Sequence, residues 1–147
     1  FAIAKENLEG KVIAQSTTAG TVGVDAANNA DVIFLGSLVT ATATINAIRQ
    51  NDPECVSIVA MGSEGKTKTD EDEQCALYLR NLLEGRNPDP NALRSLILSG
   101  AESLKYGDPN RPHFHIGDRN FALDIDRFDF AISVRTVNGL RVATKHT

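Results

Sequence analysis

The chain has 147 residues, of which 41% are hydrophobic and 23% charged, a balance that predicts one globular domain built on a single core. A formal net charge of −4 and a pI near 5.3 argue against a nucleic-acid partner or an anionic membrane surface, which would select a basic patch. No apolar run approaches the ~18 residues that cross a bilayer, and no signal-peptide pattern is present, so a soluble protein is expected. The two cysteines, Cys55 and Cys75, fall inside predicted regular elements and read as buried free thiols in a reducing, cytoplasmic setting. The chain opens on Phe1 with a strand close behind it, which reads as part of a longer polypeptide.

In chain order, three apolar runs stand out: KVIAQ (11–15), DVIFLG (31–36) and CVSIVAMG (55–62). Continuous β-branched runs of this length, each followed by a helical pattern, predict buried parallel strands in βαβ units. The intervening helices are expected near 21–29 and 39–50, with Asp52-Pro53 closing the second. The third, TDEDEQCALYLRNLLEG, carries Cys75, Ala76, Leu79, Leu82 and Leu83 on one stripe and Gly85 as a C-terminal stop. After the NPDPN turn, ALRSLILSGAESLKY reads as one or two further helices and GDPNRPHFH as a loop. FAISVRTVNGLRVAT alternates on both sides of Asn138-Gly139, the dipeptide of type I′ turns, and predicts a terminal antiparallel hairpin. The expected fold is therefore a three-layer α/β/α domain over 1–147, with a mostly parallel sheet and a C-terminal hairpin.

In open parallel sheets the ligand crevice lies beyond the carboxyl ends of the strands, and three such ends here are rich in hydroxyls: Ser16 to Thr18, Ser37 with Thr40, and Ser63 to Thr69. Gly20 permits close backbone approach, and the following helix start directs free N–H groups into the same space. Thr17, Thr18, Gly20, Thr21 and Ser37 are thus candidate phosphate ligands; simple helix capping is the commoner role for any one such loop. In the acidic first turn 70–73, Glu71 lies four residues before Cys75 and Asp72 seven before Leu79, so both are expected to point inward while Asp70 and Glu73 face solvent. Two inward carboxylates opposite a phosphate suit Mg²⁺. The competing explanation is that the acids complement the helix dipole, with Thr69 and Asp72 imitating a capping box.

Two further stretches are weaker. AMGSEGKT has Ala60 where a P-loop requires glycine. His113 and His115 are too closely spaced, without a third ligand, to define a metal site.

STTAGT, ADVIFLGSLVTATA and VSIVAMGSEGKTKTDEDEQCA, in that order, resemble the 2-phosphosulfolactate phosphatase family, whose members have a TTNGT-like loop and an EDxxCA-like helix start. DRNFALDIDRFDFAISV is similar to the family's carboxy-terminal pattern, with Asp118 and Asp126 at its acidic positions. The resemblance implies Mg²⁺-dependent hydrolysis of a small phosphorylated acid, in the route to coenzyme M where that exists. Glu71 and Asp72 would hold the metal. Asp118 is a possible nucleophile or base, although a helix cap after Gly117 is the commoner role. Family members are longer and carry an amino-terminal DVxRATTT-like motif that does not occur here, so this chain looks like the carboxy-terminal portion and the amino-terminal portion becomes an expected partner. The family loop usually has Asn where this chain has Ala19, and often Arg where it has Val22, which removes a natural anion partner. A homo-oligomer is compatible with these features. A non-catalytic α/β binding or subunit domain, whose polar strand ends only cap helices, is the alternative.

Overall fold

The computed structural model describes residues 3–147. A short 3-10 turn, Ile3–Lys5, leads through an extended stretch to helix α1 (Gly20–Ala26), strand β1 (Ile33–Phe34), a second 3-10 turn (Leu38–Thr40) and helix α2 (Ala41–Gln50). Helices α3 (Asp70–Leu83) and α4 (Pro90–Ser99) follow, then a 3-10 turn (Ala101–Lys105), helix α5 (Ile116–Ala122) and strands β2 (Ala131–Val137) and β3 (Leu140–His146). Helices and sheet are mixed along the chain, as expected.

The helix boundaries follow local rules. At the end of α3, Gly85 adopts φ +77, and the amides of Gly85 and Arg86 turn back to the carbonyls of Leu82 and Asn81. This closure needs a left-handed residue after the last turn, which glycine adopts without steric cost. Asp89 starts α4 by accepting from the Asn91 amide at 2.8 Å, with Pro90 at the first helical position, where its lost N–H is no loss. Asn138 and Gly139, both at positive φ, make the tight turn between β2 and β3 and set the register from Val137 opposite Leu140 to Ala131 opposite His146. Alternation and the Asn-Gly pair had indicated this hairpin.

The core lies where α2 crosses α3. Leu38, Ala41 and Ile45 meet Tyr78 and Leu79, with Leu93 and Ile97 of α4 and Leu123 completing the cluster. Cys75, Leu82 and Leu83 pack partly buried against it, so the apolar stripe on α3 faces inward as its spacing requires.

The sheet departs from the expected one. Its strand order is β1-β2-β3 and both pairings are antiparallel, with Ile33 opposite Val134 and Phe34 opposite Ser133. The runs 11–15 and 55–61 carry no regular secondary structure and form no ladder. Val12 is 98% exposed and Val59 69%. A β-branched run becomes a strand only where a neighbour takes its backbone hydrogen bonds, and none of the described residues does so. For the same reason Cys55 is exposed rather than buried. Ile58 alone of the third run is drawn onto the core. Among the described residues, no helix is long and apolar enough to cross a membrane.

Candidate functional site

The first turn of α3 gathers the strongest chemistry. Thr69 precedes it in extended conformation; the residue is 8% exposed and its hydroxyl has no hydrogen-bond partner among the described residues. The four acids that follow take four different roles. Asp70 accepts from the Ala101 amide at 3.2 Å and so ties α3 to the 101–105 turn. Asp72 accepts from the Gly62 amide at 2.7 Å, closing the 62–67 turn onto the helix. Glu73 lies 3.8 Å from Lys68 at the surface. Glu71 turns inward, and its Oε2 is buried without a hydrogen-bond partner among the described residues.

Asp72 points back over the preceding loop, where one of its oxygens is occupied by the backbone. Gly62 is the reciprocal feature. At φ +62, a Cβ there would lie 2.1 Å from the Thr67 carbonyl oxygen, so only glycine lets the 62–67 turn close beneath Asp72.

Cationic groups approach the same helix start. Lys105 is paired with Glu102; that hydrogen bond, aided by weaker fields including that of Glu71, raises its pKa above the usual lysine value. Arg119, from α5, donates to the Ser103 carbonyl at 3.3 Å, while its Nε is buried and unpartnered. The 101–105 turn therefore stands between Asp70 and Glu71 on one side and Arg119 on the other. Burial, and secondarily the charge of Asp72, pushes the Cys75 thiol up to about 11, so it is a neutral packing group.

The hydroxyl loop is internally bonded. The Thr21 amide donates to Thr17 Oγ1 at 3.1 Å, Thr21 Oγ1 donates to the Thr17 carbonyl at 2.7 Å, and the Thr17 amide reaches Thr21 Oγ1 at 3.4 Å. Ala19 offers α1 no side-chain cap, and Thr17 supplies one from two positions earlier. A Cβ on Gly20 would stand 3.1 Å from Thr17 Oγ1, so the absence of a side chain there makes room for this cap. Thr18 is exposed. The loop is tied toward α3 through α1, because Gly23 lies so close to Met61 that a Cβ would meet Sδ at 2.5 Å, and Met61 directly precedes Gly62.

Ser37 is drawn elsewhere. Its hydroxyl bonds Thr40 Oγ1 at 2.9 Å, which bonds Thr44 Oγ1 at 3.3 Å, with Thr40 and Thr44 both buried. The start of α2 is filled by a carboxylate from 84 residues away: Asp126 accepts from the Thr42 amide at 2.7 Å and from its hydroxyl at 2.8 Å. Nothing local in the sequence marked that pairing. Asp118 sits in the first turn of α5. The cap itself is His115, whose Nδ1 accepts from the Gly117 amide at 2.9 Å.

Among the described residues, no group of three or more His, Cys, Asp or Glu side chains converges to hold a metal. Glu71 is the residue whose environment best fits a hard cation: a buried carboxylate oxygen lacking a partner suits Mg²⁺, which needs one or two carboxylates and takes water and substrate oxygens for the rest. A surface depression of about 190 Å³ lies between α2 and the end of α3, lined in part by Ile45, Arg49 and Leu82. It reaches Thr42 but none of the residues at the start of α3.

The fold and this helix start define a mixed helix and sheet domain in which carboxylates and guanidinium and ammonium groups are brought together around one short turn. The 2-phosphosulpholactate phosphatase family model matches residues 1–108, most of the chain, and the chain belongs to that family. It is similar to a probable 2-phosphosulfolactate phosphatase of Caldanaerobacter subterraneus subsp. tengcongensis, at 28% identity over 146 positions, covering 92% of this chain and 59% of the relative. It is also similar to a protein of the same description from Caldicellulosiruptor saccharolyticus, at 37% identity over 89 residues, covering 58% of this chain and 36% of the relative. The chain thus spans under two thirds of the length of these relatives. No solved structure matches it.

Proposed function

We propose that this chain forms part of a Mg²⁺-dependent phosphatase acting on a small phosphorylated acid of the 2-phosphosulfolactate type, in a cytoplasmic setting. The observation behind this reading is the buried, unpartnered carboxylate oxygen of Glu71 in a chain of this family. Glu71 would hold the cation, with Asp72 positioning the 62–67 turn beside it through Gly62. A bound Mg²⁺ would supply charge neutralisation at the transferring phosphoryl group. Arg119 brings a guanidinium to the 101–105 turn, a charge suited to an anionic substrate. Thr18 and the backbone at Gly20 would bear on the phosphoryl oxygens, with Thr17 and Thr21 holding the loop's shape. The nucleophile or base, Asp118 or a group from the amino-terminal portion of the family polypeptide, completes the reaction. In that complete polypeptide the runs 11–15, 31–36 and 55–61 would lie in a mostly parallel, three-layered sheet.

The test is Mg²⁺-dependent release of inorganic phosphate from 2-phosphosulfolactate and a panel of other phosphate monoesters. Both this chain and a form extended by the family's remaining portion should be assayed. Release that requires Mg²⁺ and is lost in Glu71→Gln supports the reading; metal-independent release, or full activity in that variant, refutes it. The alternative, a non-catalytic binding or subunit domain, is favoured by the internal bonds of Thr17 with Thr21 and of Ser37 with Thr40, which use those hydroxyls as caps. Absence of release from every ester by the extended form would favour it.

A further inference from the structure

Two segments without regular secondary structure leave their backbones unused. No backbone N–H or C=O of residues 12–16 or 53–61 has a hydrogen-bond partner among the described residues. Elsewhere such stretches are irregular, polar and solvated; these are apolar and β-branched. Val12 and Ile13 are 98% and 61% exposed, Val56 and Val59 37% and 69%. In the third run Val59 faces out while Ile58 packs on the core, the two-residue alternation of a strand with one face buried. β1 adds a third open edge, because among the described residues it ends the sheet and pairs only with β2.

Segment 53–61 is anchored on one face through Ile58, whereas 12–16 is exposed throughout; in both, an apolar run with open ladder groups is the form that accepts an added strand, with main-chain bonds giving affinity and alternate side chains giving register. Resting on the family reading above, we infer that segments 12–16 and 53–61 are docking edges for extended, apolar segments from the portion of the family polypeptide that this chain does not span. The occupant is argued from length: the chain covers 59% of one relative and 36% of another, so each relative has a further portion large enough to contribute strands. The anchoring of Ile58 and the bond from Gly62 to Asp72 hold the third run's end beside Glu71. Strand addition there would bring the additional portion to the candidate site.

Hydrogen exchange read by mass spectrometry tests this on two proteins. One is this chain over a concentration series; the other is this chain fused to the unmatched portion of the Caldanaerobacter relative. Amides of 12–16 and 54–61 should exchange at free-chain rates in the first at every concentration, and about 100-fold slower in the second, the scale of a formed ladder against an open one. Amides of α2 should be slow in both, which reports that each protein is folded. If the fusion does not fold, the same measurement is made on this chain mixed with the relative's unmatched portion as a separate polypeptide. Val59→Asp, at an exposed position, should return most of the protection at 54–61 to the free-chain rate while leaving α2 slow. Slow exchange in dilute isolated chain would mean that the segments pair internally, slow exchange only at high concentration would make a second copy the occupant, and fast exchange in both proteins would leave no docking edge; each overturns the inference. Phosphate release is measured separately on the fusion. Protection without hydrolysis keeps the docking edges and refutes the phosphatase reading, and hydrolysis without protection does the reverse.

Discussion

Glu71 and Asp72 are adjacent in sequence and equal in charge, yet the structure predicts opposite consequences for losing them. Asp72 accepts a 2.7 Å bond from the Gly62 amide in a partly buried setting. A hydrogen bond to a charged group contributes roughly 1.5–3 kcal/mol, and a carboxylate in the first turn of a helix adds about 0.3–1 kcal/mol through the dipole. Asp72→Ala should therefore cost roughly 2–3 kcal/mol, and Asp72→Asn, which keeps an acceptor, about 1 kcal/mol. Glu71 Oε2 is buried with no hydrogen-bond partner among the described residues, so its desolvation is offset by nearby charge such as that of Lys105 and not by a bond to that oxygen. Glu71→Gln should leave stability unchanged or raise it by up to ~1 kcal/mol. Urea titration at neutral pH measures both, with an unchanged m-value confirming that the folded state is the same. Repeating the titration with Mg²⁺ separates structure from ligand. If Glu71 holds the cation, Mg²⁺ at about ten times its dissociation constant stabilises the parent and Asp72→Asn by roughly 1.4 kcal/mol and leaves Glu71→Gln unmoved. A neutral Asp72→Ala together with a Glu71→Gln that costs more than ~2 kcal/mol would refute the assignment of roles.

Asp126→Ala removes both bonds to Thr42 from a residue at φ +57, and should cost roughly 2–3 kcal/mol in the same assay; Asp126→Asn, which tolerates the left-handed backbone, should cost less than half of that. Gly62→Ala forces a Cβ against the Thr67 carbonyl and should cost at least ~3 kcal/mol or prevent folding, read by thermal unfolding. In the folded protein an alkylating reagent at pH 8 should modify Cys55, which is exposed, and spare Cys75 until the chain unfolds, as mass spectrometry would show. The Cys75 thiol is raised by burial from its ordinary 9.0 to about 11, so its contribution to stability is complete below about pH 9 and is lost as pH rises toward 11. Stability should fall by roughly 1–3 kcal/mol between pH 8 and 10.5; Tyr78, raised chiefly by burial and then by Asp126, acts in the same direction.

The sequence by itself determined what depends on near neighbours. The stripe on α3, its stop at Gly85, the Pro90 start of α4 and the Asn138-Gly139 hairpin are each settled within a turn or two of chain, because capping, left-handed glycine and hydrophobic periodicity are local properties. The inward placement of Glu71 was legible for the same reason. Tertiary structure decided everything that needs a distant partner. Whether KVIAQ and CVSIVAMG are strands depends on another segment taking their backbone bonds, and composition cannot say where that segment is. The same holds at the candidate site: Asp72 is committed to Gly62, ten residues back, Asp126 to the start of α2, and Arg119 comes to the 101–105 turn from α5. A hydroxyl or carboxylate that can cap, ligate or bind is the same residue in each case. Which of these it does is settled by the polar group that folding brings within about 3 Å of it, and that is a property of the packed chain.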